Sequence, residues 1–322
     1  MIWLTNLFYA RIVGRWLPAR WFGPAVPDTD SLCPAGEPLQ LEIVAHCWQY
    51  AHLLAYQLSA LIDHPPTQLR VTYTLFHSEE DTDTVALIRH VQAHHVVPGV
   101  SWNWQALPRD ELFRRAIGRN RAARASSADW LWFSDCDLIF HAHCLDTLAE
   151  RLRGRRERMV FPDGEFVTEL LPAEHPWLHP RLPDDLPLRI EPERFSPNPI
   201  AKAKGAFQIV HGDVARAAGY CPQLAVYQRP TARWRKTFED TAFRNLIGSQ
   251  GEPISIPGLY RIRHVAKGRY AKDSAFSALR TFARDPHRHA AAGAAAGSAP
   301  GSAPGSAPGA DPGQHSSQDP PR

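Results

Sequence analysis

The sequence contains the stretch Asp129-Trp-Leu-Trp-Phe-Ser-Asp135-Cys-Asp137-Leu-Ile-Phe140, in which an apolar run leads directly into two carboxylates. Four large apolar side chains in a row predict a strand that is buried on both faces, as in a parallel sheet. Ligands of α/β sheets bind outside the carboxyl ends of the strands. Residues two apart in an extended segment point to the same side. The stretch therefore predicts that a buried strand presents Asp135 and Asp137 together at one edge of a sheet.

Asp135 and Asp137 suit a divalent metal ion. Carboxylate oxygens are the hard ligands that Mg²⁺ and Mn²⁺ prefer, and such an ion neutralises a bound diphosphate. An Asp-x-Asp triplet alone occurs on many protein surfaces. Its position after an apolar strand, where a charge without a partner is costly, favours a ligand-binding site.

The segments around this strand alternate between strand and helix patterns. The sequence predicts further strands at residues 41–45, 70–76, 100–105 and 159–161, and helices at residues 52–62, 82–94 and 110–126. Strands that alternate with helices predict a mixed, mainly parallel sheet flanked by helices. The carboxylate pair then lies in an α/β domain.

The two ends of the chain differ in composition from its middle. We expect an apolar and basic leader with a Pro-rich linker at residues 1–38, a folded domain at 39–285, and a disordered Ala/Gly/Ser/Pro tail at 286–322. The apolar part, residues 1–23, lacks a signal-peptide pattern and is too short to span a bilayer. It either docks onto its own domain or makes peripheral contact with a membrane surface.

A long Pro-rich stretch, residues 170–199, interrupts the alternation of strands and helices. Loops of this length inside a domain are uncommon and are usually functional. The stretch is either a lid or wall on the acceptor side of the site, or an insertion without a role in the site.

Composition excludes several classes of protein. The chain has 322 residues, 44% hydrophobic and 21% charged, with a formal charge of +3, so it can bury a large core and nucleic acid is not an implied partner. Five cysteines without Cys-x-x-Cys spacing argue against a disulfide framework and a zinc site, and favour a reducing, cytoplasmic compartment. The absence of phosphate-loop and Gly-x-Gly-x-x-Gly patterns disfavours ATPases and dehydrogenases.

Three ordered motifs resemble the GT-A glycosyltransferases, especially those of family 2. The first is the Arg/Asn-bearing helix, apolar strand and Asp-x-Asp at 119–137. The second is the strand and turn on the acceptor side at 205–220, and the third is the Glu-Asp helix start at 238–244. The resemblance implies the GT-A fold, an Mn²⁺ or Mg²⁺ cofactor and a nucleotide-sugar donor. The acceptor would be a glycan, a lipid-linked molecule or a small molecule.

The resemblance also implies roles for individual carboxylates. Asp135 would contact the nucleotide ribose or the metal ion, Asp137 would be the main metal ligand, and His264 a further ligand. Asp240 or Glu239 would be the catalytic base that takes the proton of the acceptor hydroxyl. Acids in the first turn of a helix are also favoured by the helix dipole alone.

The expected donor-binding residues are scattered along the chain. Those implied by the resemblance, beside Asp135, are Arg119, Asn120, Lys267 and Arg269, with Glu79 or Asp81 replacing the usual acid after the second strand. The expected reaction is an inverting sugar transfer, although a late histidine also occurs in retaining relatives. A catalytically silent GT-A-like scaffold that binds a nucleotide or glycan is the alternative, and a nucleotidyltransferase is disfavoured because no Gly-rich loop follows the first strand.

Overall fold

The computed structural model describes residues 25–233 and 237–265. The strands in these ranges are β1 (Leu39–His46), β2 (Leu69–His77), β3 (Val100–Ala106), β4 (Trp130–Phe133), β5 (Leu138–Phe140), β6 (Met159–Pro162), β7 (Gly164–Val167), β8 (Ser196–Pro199), β9 (Gln208–His211), β10 (Glu252–Ile254) and β11 (Leu259–Arg261). The α-helices are α1 (Ala51–Asp63), α2 (Thr82–His94), α3 (Arg109–Leu112), α4 (Arg115–Ala125), α5 (Cys144–Leu152), α6 (Gly212–Ala218), α7 (Ala225–Gln228) and α8 (Glu239–Leu246). No helix within these ranges has the length and apolar character needed to cross a bilayer.

Seven strands form the central sheet, in the order β10-β6-β9-β4-β1-β2-β3. Strands β4, β1, β2 and β3 run parallel, β10 pairs parallel with β6, and β9 runs antiparallel between β4 and β6. Helices α4, α5 and α6 contact the sheet strands, and all four side chains of β4 are buried. The predicted mixed, mainly parallel sheet flanked by helices is confirmed.

A smaller sheet, in the order β5-β11-β7-β8, includes the strand that follows the carboxylate pair in the chain. Strand β5 follows Asp137 directly, and β11 pairs antiparallel with it so that Arg261 lies opposite Leu138. Strand β7 pairs parallel with β11 and carries Glu165. The second sheet therefore brings residues from three distant parts of the chain to the Asp135–Asp137 loop.

One predicted helix is wrong in its extent. The sequence predicted continuous helix at residues 110–126, whereas the structure has α3, a break, and then α4. Arg114, the residue before α4, has φ −110° and ψ 80°, and its Nε donates to the carbonyl of Arg229 at 3.2 Å. The backbone leaves the helical region here because Arg114 is buried and its guanidinium reaches a carbonyl on a distant segment.

Two Pro-rich stretches pack against the domain. In residues 170–199, Leu178 and Phe195 join an apolar cluster with Leu53 and Tyr56 of α1. In residues 25–38, Leu32 is buried in the main core, and the amide of Cys33 donates to Asp213 at 2.8 Å. The described part of the expected linker is therefore in contact with the domain.

Several sequence-based expectations fall outside the described residues. They are the leader at 1–23, the tail at 286–322, and the phosphate-binding candidates Lys267 and Arg269.

Candidate functional site

A buried glutamine, Gln57, hydrogen-bonds the backbone of the loop after β4. Gln57 of α1 donates from Nε2 to the carbonyls of Asp135 at 3.0 Å and Leu138 at 2.6 Å. The hydroxyl of Tyr73 in turn donates to Gln57 Oε1, which fixes the orientation of the amide. Because both carbonyls are hydrogen-bonded to the same amide, the conformation of the loop that carries Asp135 and Asp137 is stabilised.

Arg115 connects this loop to the start of α8. Its Nη1 donates to Asp135 Oδ1 at 2.5 Å, and its Nε lies 3.7 Å from Glu239 Oε1. Burial works to lower the pKa of the Arg115 guanidinium, but the carboxylates of Asp135 and Glu239 outweigh it and raise that pKa above its usual value. One guanidinium thus joins two carboxylates that are more than a hundred residues apart in sequence.

Arg119 lies one turn further along α4 and is fully buried. Its guanidinium donates to Tyr220 Oη at 2.9 Å and to the carbonyl of Gly205 at 3.2 Å, and it lies 3.8 Å from Asp135 Oδ1. The amide of Gly205, a residue with φ +55°, donates to Asp240 Oδ2 at 3.1 Å. A chain of contacts therefore runs from Arg119 through one glycine to Asp240.

Glu239 and Asp240 lie in the first turn of α8 and have different surroundings. Glu239 is buried, and it accepts a hydrogen bond from the hydroxyl of Thr237. Asp240 is half-buried and bonds the Gly205 amide. Glu239 is thus held by a hydroxyl and faces Arg115, while the Asp240 carboxylate keeps accessible surface.

Asp137 belongs to a second group of charges, together with Arg261 and Glu165. Glu165 is buried and pairs with Arg261, and it also accepts from Asn198 at 2.8 Å. Burial raises the pKa of Glu165, with Arg261 opposing and Asp137 adding to the shift. Burial works to lower the pKa of Arg261, which Asp137 and Glu165 nevertheless raise. The negative charge of Asp137 therefore acts on both members of a buried ion pair.

His264 lies at the same end of the molecule, after β11. Its side chain is 1% exposed, and its Nε2 lies 2.9 Å from the hydroxyl of Tyr50, at the residue before α1. The ring centroid of His52 is 6.2 Å away. The structure thus gives His264 a partner on the loop that follows β1.

The remaining donor-binding candidates occupy different places. Asp81 caps α2, accepting from the Thr84 hydroxyl at 2.7 Å, and also accepts from the amide of Gln49 at 2.6 Å. Glu79 is exposed. Asn120 accepts from the amide of Tyr220 at 2.9 Å. Asp81 therefore shapes the loop after β1, and Asn120 holds the turn after α6.

His46, at the end of β1, lies close to the charges of Arg115 and Arg119. It stacks on Phe76 with ring centroids 5.0 Å apart, and neither ring nitrogen hydrogen-bonds a described residue. Burial, reinforced by the charges of Arg119 and Arg115, lowers the pKa of His46 well below its usual value. A Cβ at Gly118 would lie 2.3 Å from His46 Nε2, so α4 approaches the stack closely because residue 118 has no side chain.

Carboxylates and guanidinium groups lie next to one another in these two groups. Asp135 and Glu239 face Arg115, Asp137 and Glu165 act on Arg261, and the buried Arg244 donates to the carbonyl of Asp240. Carboxylate oxygens are the ligands that a hard divalent cation prefers. Within residues 25–233 and 237–265, however, no three His, Cys, Asp or Glu side chains are grouped as a metal site. The ligand type thus fits a metal ion, and the described residues do not gather a third ligand.

The structure brings together some of the residues singled out from sequence. Asp135, Glu239 and Asp240 converge through Arg115, Arg119 and Gly205. Sequence reasoning missed Arg115, Arg261, Glu165 and His46. Only Arg115 carries a sequence signal, because it lies four residues before Arg119 and so on the same helix face.

Comparison with known proteins gives a limited result. No family model and no curated protein matches the chain. The chain is similar to the crystal structure of S. aureus TarS 1-349, with a TM-score of 0.44 and 9% identity over 70% of this chain. It spans 60% of that TarS chain. It is also similar to the mannosyltransferase PcManGT from Pyrobaculum calidifontis in complex with GDP-Man and Mn²⁺, with a TM-score of 0.43 and 14% identity over 94% of this chain and 75% of that one. At these values, function has to be argued from the site.

Proposed function

We propose that the chain is a glycosyltransferase of the GT-A type, similar to family 2, that moves a sugar from a nucleoside-diphosphate donor to a hydroxyl acceptor with inversion. The observation that carries the proposal is the convergence of two carboxylate pairs at one end of the sheet. Asp135–Asp137 and Glu239–Asp240 are joined by Arg115, with distances of 2.5 Å to Asp135 and 3.7 Å to Glu239. The reaction needs such a pairing, with one group beside the departing diphosphate and a base beside the acceptor.

Asp240 is the proposed catalytic base. A base must reach the acceptor and remain free to take a proton. Glu239 is enclosed, because it accepts a hydrogen bond from the Thr237 hydroxyl and its Oε1 lies 3.7 Å from Arg115 Nε. Asp240 is more accessible, and the Gly205 amide fixes its orientation. Asp240 therefore suits proton transfer, and Glu239 suits a structural role.

A divalent cation, Mn²⁺ or Mg²⁺, is the proposed cofactor, with Asp135 and Asp137 as its ligands. The hardness of the carboxylate oxygens and the position of both residues directly after the buried strand β4 support this assignment. When bound, the ion would neutralise charge on the donor diphosphate. Because Arg115 Nη1 lies 2.5 Å from Asp135 Oδ1, the two cations would compete for this carboxylate. His264 as a further ligand remains a prediction.

The proposed reaction forms one bond and breaks one. The acceptor oxygen attacks the anomeric carbon of the donor sugar and forms the new glycosidic bond, while its proton passes to Asp240. The bond between that carbon and the diphosphate oxygen breaks, and the nucleoside diphosphate leaves with the electron pair. Attack opposite the leaving group inverts the anomeric centre. Arg115, beside Asp135, supplies positive charge at the leaving-group side.

Donor recognition is proposed for Asp81, Glu79, Asn120, Lys267 and Arg269 with the charged group around Asp135. The acceptor is proposed to be a glycan, a lipid-linked molecule or a small molecule, with residues 1–23 as the membrane contact if the acceptor is lipid-linked.

Donor hydrolysis tests the proposal. The full chain is incubated with UDP-, GDP- and dTDP-sugars and Mn²⁺, and release of nucleoside diphosphate is followed. We expect turnover with at least one donor and its loss in Asp137→Asn. Silence across the panel would count against the enzyme. Donor binding without turnover would instead favour a GT-A-like binding scaffold.

A further inference from the structure

The outer half of the central sheet has one polar face. Sheets in α/β domains are normally apolar on both faces because helices cover them. Here the residues of β1, β2 and β3 that share one face by register are largely polar; they include Gln40, Glu42, Thr72, Thr74, Asn103 and Gln105. Helix α4 lies against this face at His46 and Phe76 through Gly118, and Arg121, Ala122 and Ala125 of α4 follow along its edge.

A cavity of about 290 Å³ opens on this face. Its floor is formed by the three strands, and its wall by Arg121, Ala122 and Ala125 of α4 with residues 126–128. This volume lies near the lower end of the range for small-molecule sites, about 300 Å³. Phe76 lines the cavity and stacks on His46, with ring centroids 5.0 Å apart.

The polar side chains of the floor form one ordered chain of hydrogen bonds. Gln105 Nε2 donates to Asn103 Oδ1 at 2.6 Å, and Asn103 Nδ2 donates to Thr74 Oγ1 at 2.9 Å. Thr74 Oγ1 donates to Glu42 Oε1 at 2.5 Å. Every donor points toward Glu42, so the two amides are fixed and each keeps an N–H and a lone pair for a ligand.

Glu42 is retained at a cost. Its side chain lies in the buried part of the floor, and burial raises its pKa, although bonds from Ser126 and Thr74 oppose the shift. Burial of a carboxyl group is costly, and at Glu42 the hydrogen bonds from the two hydroxyl groups offset only part of that cost. Such a group in a cavity is a candidate for ligand binding.

The lining selects one class of ligand. Glu42 would repel a phosphate, and Arg121 at the rim already pairs with Glu111 at 2.5 Å. A nucleobase would need an open aromatic face, whereas Phe76 is 3% exposed. Amide, hydroxyl and carboxyl groups can both donate hydrogen bonds to and accept them from the hydroxyl groups of a neutral sugar.

We propose that this cavity is a saccharide-binding subsite, separate from the Asp135–Asp137 site, that holds a neutral sugar unit through Asn103, Gln105 and Glu42. The inference goes beyond the proposed transfer reaction and does not depend on it. Such a subsite would hold a glycan on the polar face of the sheet without taking part in the chemistry.

Saturation-transfer NMR on the full chain tests the subsite, with maltotriose, cellotriose and mannotriose as separate probes and no donor present. We expect transfer to at least one trisaccharide. Asn103→Ala and Gln105→Ala should each weaken its binding about 2- to 10-fold, the effect of losing one hydrogen bond. Ser101→Ala is the matched control, since Ser101 lies on the same face of β3 but outside the cavity lining.

Gln105 is exposed, so its variant tests the proposal even if Asn103→Ala unfolds. Binding should survive in Asp137→Asn. No transfer to any of the three probes, equal binding by Gln105→Ala and the unaltered chain, or loss of binding in Asp137→Asn would each overturn the proposal. None of these results depends on whether the chain turns over a nucleotide sugar.

Discussion

Replacing Arg115 with glutamine should tighten Mn²⁺ binding. In the structure, the Arg115 guanidinium occupies one oxygen of Asp135 at 2.5 Å and places a positive charge where the proposed metal ion would bind. A glutamine keeps much of the side-chain length and removes the charge. The metal ion then no longer competes with a guanidinium for Asp135, and it is no longer repelled by the positive charge of that group.

The magnitude follows from the ion pair that the metal has to displace. A hydrogen bond to a charged group contributes about 1.5–3 kcal/mol. Because the side chains of Arg115 and Asp135 are 26% and 33% exposed, solvent screening reduces this to about 1–2 kcal/mol. At about 1.4 kcal/mol for each factor of ten, the Kd for Mn²⁺ should fall by about 5- to 30-fold.

The assay is a titration of the chain with Mn²⁺, followed by the electron paramagnetic resonance signal of the free ion. Arg121→Gln is the matched control, because Arg121 lies on the same helix and pairs at 2.5 Å with Glu111, away from the site. Asp137→Asn should weaken binding. If Arg115→Gln bound Mn²⁺ no more tightly than Arg121→Gln, competition between Arg115 and the metal ion would be refuted.

Three further predictions concern the proposed base Asp240, the contact of α4 at Gly118, and the buried Glu42 of β1. Asp240→Asn should lower kcat by about 10²- to 10⁴-fold with the donor KM nearly unchanged, as measured by steady-state kinetics, and a change confined to KM would contradict its role as a base. Gly118→Ala places a Cβ 2.3 Å from His46 Nε2 and should cost about 1–3 kcal/mol in urea unfolding; a neutral result would mean that α4 moves freely. Burial raises the pKa of Glu42 in the folded chain above its ordinary value of 4.5, so the folded chain binds this proton more tightly than the unfolded chain does. The free energy of unfolding therefore falls as the pH rises from 4.5 through the folded-state pKa. Glu42→Gln should therefore gain thermal stability relative to the unaltered chain at about pH 8 and not at about pH 4, and equal differences at both would exclude a raised pKa.

The parts of the molecule that sequence predicted are those specified by local pattern. Strand β4 and helix α2 have the predicted bounds. Four consecutive apolar residues specify β4, and an aspartate cap specifies the start of α2. The start of α8 at Glu239 was likewise predicted. Each of these features depends on neighbours within one or two turns.

The choice between two arginines shows what local pattern leaves open. Arg115 and Arg119 lie on one face of α4, and sequence pointed to Arg119 as a donor-binding residue. In the structure Arg119 is enclosed by Tyr220 and Gly205, and Arg115 meets Asp135. Which arginine reaches the surface depends on how deeply α4 packs, and that is set by Gly118 against His46 and Phe76.

The Glu165–Arg261 pair was beyond sequence reasoning for another reason. Its members are far apart in the chain and meet only because β7 and β11 are neighbours in the smaller sheet. A buried ion pair of this kind has no periodicity to reveal it. The donor-side residues Lys267 and Arg269 remain predictions.

The position of β9 has a consequence for synthesis on the ribosome. This strand fills the gap between β4 and β6, although it is made long after both have been translated. Until Gln208–His211 emerges, each of those strands offers a bare row of amides and carbonyls, the arrangement that templates aggregation. A nascent chain stalled before Gln208 would therefore be prone to aggregation. Insertion of β9 joins β4 to β6 and brings Gly205 to Arg119, and Asp240 of α8 and strand β10 are added only afterwards.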